Sequence, residues 1–126
     1  MKAYFLAAAE KALAEEERSL AFRAVMKFLL ENAVGCENAR PWGEIDRHLW
    51  REGIVLKKTA FQQTVLNSTQ SKESNIFIGS TDRGKAAGYF LIRNKEDAEV
   101  AREFYTRRIE AQRTNLDHLE LLLRLT

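Results

Sequence analysis

Two short runs, Ile76-Phe77-Ile78 and Tyr89-Phe90-Leu91-Ile92, are the stretches of this chain that read as β-strand. Their β-branched and aromatic residues suit a pleated, half-buried surface. A glycine-rich segment joins them, so together they predict one hairpin with a long tip. Everything else follows helical spacing. The chain, 126 residues long, is therefore expected to be a single mainly α domain with a small β-hairpin, an α+β fold.

The hairpin segment also contains Gly79, Gly84 and Lys85 at the spacing of a phosphate-binding loop. Such a loop needs Ser or Thr after its lysine to bind magnesium. It also needs a helix there, whose N-terminal amides and dipole hold the phosphates. Here Ala86 follows, and Ala87-Gly88 leads straight into the second strand. The context fails, and no nucleotide cofactor is expected.

Residues 2–17 are rich in Ala, Leu, Glu and Lys, the strongest helix formers. Ser19 is placed to cap a second helix, continued by Leu20, Arg23, Met26, Lys27 and Leu30, with Gly35 as its stop. The alternative, one helix running through Arg18-Ser19, stays open at this level. The chain's one proline, Pro41, suits the first turn of a short helix from about 42 to 52 that ends at Gly53. Its apolar residues Trp42, Ile45, Leu49 and Trp50 share one side. After Ile54-Val55-Leu56 a second short helix spans about 57–72. Asn94 caps the final helix, with Asp97 three residues on as in a capping box. Tyr105, Ile109, Gln112, Leu116, Leu119 and Leu123 then form a seam near heptad spacing. Its leucines are expected to bury against a second copy, with packing on the N-terminal helix as the alternative.

The net charge of +2 conceals a gradient. Residues 40–95 hold ten Lys/Arg against five Asp/Glu, while both flanks are slightly acidic. A local positive field of that size attracts polyanions. Cys36 is the single cysteine, which excludes an internal disulfide and fits a reducing compartment. With no apolar run near the length of a bilayer and no leader pattern, the expected location is cytoplasmic and no membrane partner is implied. His48 and His118 lie far apart, Cys36 has no companion at ligand spacing, and Glu44 and Asp46 point apart on a helix. No metal site and no catalytic group are predicted, and the chain reads as a non-enzyme.

The helix over 57–72 carries the most information. At 100° per residue, Ala60, Phe61, Thr64, Val65 and Ser68 form the face expected to pack on the core. Thr59, Gln62, Gln63, Leu66 and Gln70 lie opposite, flanked by Lys58 and Asn67. Amide side chains pair bidentately with adenine in a major groove, and Thr contacts thymine methyls. Lys57 and Lys58 suit phosphate contacts, which position a protein without reading sequence.

The order of a supporting helix (20–34), a helix pair (42–72) and a hairpin (76–92) resembles winged helix-turn-helix domains. Gly88-Tyr89-Phe90-Leu91-Ile92 followed by Asn94 is similar to the wing-to-helix junction of small regulators from phages and mobile elements. The resemblance implies an N-terminal extension (1–18), a winged domain (19–93) and a C-terminal dimerisation helix (94–126). It implies a transcription regulator that binds double-stranded DNA as a homodimer. Lys57, Lys58, Thr59, Gln62, Gln63, Asn67 and Lys72 would then belong to the recognition helix, and Arg83 and Lys85 to the wing tip. Two features depart from the pattern. Gly53-Ile54-Val55-Leu56 lacks a capping Ser or Thr, and helix 2–17 is extra. With Leu66 on the outer face, they point to the alternative of a module that docks on a host protein. A detached DNA-recognition domain of a restriction or mobile-element enzyme fits the same order.

Overall fold

The computed structural model describes residues 6–15, 19–70, 76–82 and 86–126, together with the helical backbone of residues 2–5. Helix α1 (Lys2–Ala14) and helix α2 (Leu20–Asn32) are separate. Ser19 accounts for the break, because its Oγ accepts the Phe22 N–H at 3.1 Å and starts α2 afresh. α1 lies on α2 through the small residues Ala9 and Ala12, both in the main core. Arg23 Nε donates to the Leu13 carbonyl near the end of α1 at 3.1 Å.

α2 stops at Asn32 because the strands capture the chain that follows. The Ala33 carbonyl accepts the Leu91 N–H, and Gly35 N–H donates to the Leu91 carbonyl. A 3-10 turn, Cys36–Asn38, then leads to Arg40, which exchanges two backbone hydrogen bonds with Tyr89. Helix α3 (Trp42–Arg51) starts after Pro41 and buries Ile45 and Leu49, with Trp42 half-buried. Trp50 departs from the expected apolar side and is exposed. At the end of α3 Gly53 adopts φ +76°, its N–H donating to the Trp50 carbonyl while Ile54 N–H donates to Leu49. That is the paired bonding of a Schellman motif, closed by Leu49 and Ile54 in the same apolar cluster.

The next helical stretch, called α4 here, runs through Lys58–Ala60, a π-helical segment Phe61–Leu66, and Asn67–Thr69. The Asn67 N–H reaches back five residues to the Gln62 carbonyl. This wider winding changes the buried face. Phe61, Val65 and Thr69 turn inward, while Thr64 and Ser68, expected in the core, are exposed. Leu66, expected on the outer face, is half-buried and packs against the core.

Strands β1 (Ile78–Thr81) and β2 (Gly88–Leu91) pair antiparallel in the register Ile78↔Leu91 to Thr81↔Gly88. β1 thus starts two residues further along the chain than the apolar run suggests, and its last residue, Thr81, pairs with Gly88. The hairpin is covered on both faces, which is why its second strand is apolar without alternation. Ile78 and Leu91 join the core of α1–α4. Phe90 and Ile92 turn the other way, into a smaller cluster with Ala39 and Ala101.

Helix α5 (Lys95–Arg124) has 30 residues, hence a length of about 45 Å. Asp97 and Ala101 are buried in its first turns, and Phe104 and Tyr105 are half-buried. From Arg108 to Thr126 every residue is exposed. No described helix is long and apolar enough to cross a membrane.

Candidate functional site

α4, the hairpin and the inner turns of α5 enclose an open groove of about 540 Å³. Lys58, Gln62, Leu66 and Asn67 line it from α4. Ser80, Thr81 and Tyr89 contribute from the hairpin, Trp42 from α3, and Phe104, Tyr105 and Arg108 from α5. No carboxylate is among the lining residues.

Aromatic contacts set the shape of this site. The Trp42 and Phe61 rings are 4.8 Å apart, and Phe61 meets Tyr89 edge-on at 5.0 Å. Tyr105 contacts Phe77 and Phe104 edge-on. Gln70 ties the end of α4 to this wall, its Nε2 donating to Tyr105 Oη at 2.6 Å and to the Ile78 carbonyl at 3.0 Å. Both Gln70 and Tyr105 therefore take roles that their helical spacing did not suggest. Gln70 leaves the outer face of α4, and Tyr105 leaves the expected seam to hold α5 against the hairpin and the end of α4.

The predicted recognition residues divide into two sets. Lys58, Gln62 and Asn67 face the groove, whereas Lys57, Thr59 and Gln63 are exposed outside its lining. Residues 57–70 contain no acid, so this face has no internal charge compensation. Lys72, Arg83 and Lys85 lie outside the described residues. Where the hairpin approaches that loop, Asp82 pairs with Arg107 of α5 at 2.8 Å and 3.4 Å. The bidentate contact docks the end of β1 on α5. It also holds the Arg107 guanidinium above its ordinary pKa, chiefly through the hydrogen bond to Asp82.

Gly84-Lys85 precedes β2, so the phosphate-loop spacing is followed by strand and not by helix. Gly88 has φ +132°, and a Cβ there would strike the backbone of Arg40 and Pro41. Its freedom serves the close approach of β2 to that chain.

Spacing left Cys36 without companions, but folding brings Glu37 and Asp97 to it, with one ligand atom of each within 4.8 Å of the others. Each of the three groups already takes part in hydrogen bonds. Asp97 accepts the backbone N–H of Cys36 at 3.0 Å and of Arg93 at 2.9 Å. The Arg93 guanidinium clasps Glu37 at 2.7 Å and 2.9 Å, and that hydrogen bond holds the Glu37 carboxyl below its usual range. Burial, then the Asp97 hydrogen bond and charge, push the Cys36 thiol up to about 11. A protonated thiol is a poor nucleophile, and the hydrogen bonds of this cluster join the turn after α2 to the start of α5.

Of the seam residues other than Tyr105, Ile109, Gln112, Leu116, Leu119 and Leu123 all lie on the free part of α5. Leu116 and Leu119 are 53% exposed and Leu123 64%. Packing against α1, the intramolecular alternative, is therefore not the arrangement found.

The aromatic wall was missed because strand register and the docking of α5 decide it, and neither is written in local spacing. Phe104-Tyr105 beside Arg107-Arg108 was the one local signal. No protein-family model, curated protein or solved structure matches the chain.

Proposed function

We propose that this chain is a winged-helix DNA-binding protein that engages duplex DNA as a homodimer and acts in transcription regulation. The observation that carries the reading is the acid-free outer face of α4, presenting Lys57, Lys58, Thr59, Gln62, Gln63 and Asn67 beside a hairpin. The loop of that hairpin holds Arg83 and Lys85 in sequence. The element order supports it: α2, a bridged segment at Arg40, the α3–α4 pair, then the hairpin. Lysines at the start of α4 meet phosphates, and its amides reach base edges. Fluorescence anisotropy of a mixed-sequence duplex, titrated at low salt, tests the proposal. Binding that weakens with salt along a log–log slope of about −4 to −5, as roughly five phosphate contacts require, is the expected result. No binding at low salt overturns it.

The rival is a protein-docking module for a host or partner protein. The burial of Leu66 removes one of its supports, and the uncovered leucines of α5 supply another. A stable 1:1 complex with a non-copy protein, abolished by changes at Leu116 and Leu119, is its signature.

A further inference from the structure

The groove has the volume of a small-molecule site, which for proteins falls in the range of about 300–1,000 Å³. Three observations say what it takes. Its floor and walls are aromatic and flat, from Trp42, Tyr89, Phe104 and Tyr105. It carries one cation on each of two walls, Lys58 on α4 and Arg108 on α5, and neither has a carboxylate partner among the described residues. Arg108 instead lies over the Phe104 ring at 5.3 Å. The third observation is Ser80, only 7% exposed. Register puts it on the same face as Tyr89, and it lines the groove. A hydroxyl that lines a groove can donate to, or accept from, a polar group that enters it.

We infer that this groove binds a planar aromatic anion, its ring stacked among Trp42, Tyr89 and Phe104 and its carboxylate or phosphate between Lys58 and Arg108. Gln62 and Asn67 offer amides to polar edges of the ring, and Ser80 donates to its inner edge. Because Lys58, Gln62 and Asn67 also belong to the proposed DNA face, the same ligand competes with DNA. That consequence alone rests on the DNA-binding reading.

The test uses Trp42 as its own reporter, in a chain where exposed Trp50 is replaced by Phe. Benzoate and adenosine 5′-monophosphate are titrated without DNA, with benzamide and adenosine as their uncharged counterparts. Saturable change in Trp42 emission with either anion, at least tenfold weaker with its neutral counterpart, is expected. Which anion binds distinguishes an aromatic acid from a nucleotide. Arg108→Gln and Lys58→Gln, both at exposed positions, should each weaken that binding at least fivefold while far-ultraviolet circular dichroism stays unchanged. No response to either anion at millimolar concentration, equal response to the neutral compounds, or full binding by both variants overturns the inference. Where duplex binding is present, the saturating anion should raise the DNA dissociation constant, and an unchanged constant removes the competition alone.

Discussion

The Asp97 carboxylate accepts the backbone N–H of Cys36 at 3.0 Å although 61 positions separate them. Its second oxygen takes the Arg93 N–H at 2.9 Å. One fully buried side chain thus joins the turn after α2, the end of the β2 segment and the start of α5. Removing it leaves two backbone donors without their partner in a partly buried site. Asp97→Ala should cost about 3 kcal/mol, with Asp97→Asn losing about half of that because one acceptor survives. Urea titration followed by circular dichroism reads both. A loss below about 1 kcal/mol for the Ala variant contradicts this account of the joint.

The same contact governs the thiol. A pKa near 11, raised by burial first and by Asp97 second, leaves little thiolate at pH 8. The reaction of Cys36 with a disulfide reagent should run on the order of a hundredfold slower than that of an unperturbed thiol. Asp97→Asn should speed it, since a neutral amide no longer repels the thiolate. Stopped-flow rates from pH 7 to pH 10, compared with glutathione, decide the matter.

Helix existence was legible because capping and punctuation act locally: Ser19, Pro41, Gly53 and Asn94 each mark a boundary where the sequence placed one. Faces were less legible. The 100° rule put Thr64 and Ser68 inside and Leu66 outside, whereas along the π-helical stretch and the turn after it Thr64 and Ser68 are exposed and Leu66 is half-buried. Tyr105 followed the seam by spacing, yet Gln70 and Phe77 claim it through tertiary contacts. Local chemistry is written in the chain, whereas winding defects and strand register are settled by packing across it.

Three glycines separate backbone need from packing. Gly88→Ala forces a Cβ into the Arg40–Pro41 backbone at φ +132°. It should cost about 3 kcal/mol or more. Gly53→Ala meets open space but keeps φ +76°, so about 1 kcal/mol is expected from the left-handed conformation alone. Gly43, inside α3 with nothing near its missing Cβ, should gain about 0.5–1 kcal/mol on becoming Ala. Thermal melts of the three variants should rank in that order.

On the proposed DNA face, lysines and amides should fail differently. Lys57→Ala or Lys58→Ala removes one phosphate contact, lowering affinity for every sequence alike and reducing the salt slope by about 1. Gln63→Ala, outside the groove lining and exposed, should leave the slope unchanged and alter which duplexes are preferred. Anisotropy titrations over several salt concentrations, on a selected and a scrambled duplex, separate the two behaviours. A slope change in Gln63→Ala contradicts the division of labour.

The outer part of α5 poses a physical problem whose solution is measurable. From Ile109 onward every residue of it is exposed, and an isolated helix of so few turns is marginal in water. Ile109, Leu116, Leu119 and Leu123 recur near the heptad spacing that pairs helices. A second copy covering this seam should therefore stabilise the helix that forms it. Sedimentation equilibrium should show a concentration-dependent monomer–dimer balance, and helicity should fall on dilution along the same curve. Leu119→Asp combined with Leu123→Asp should give a monomer of reduced helicity at every concentration. The core of α1–α4 should still melt cooperatively, because neither leucine touches it. A wild-type chain that stays monomeric at high concentration while keeping its full helicity would show that the seam needs no partner copy.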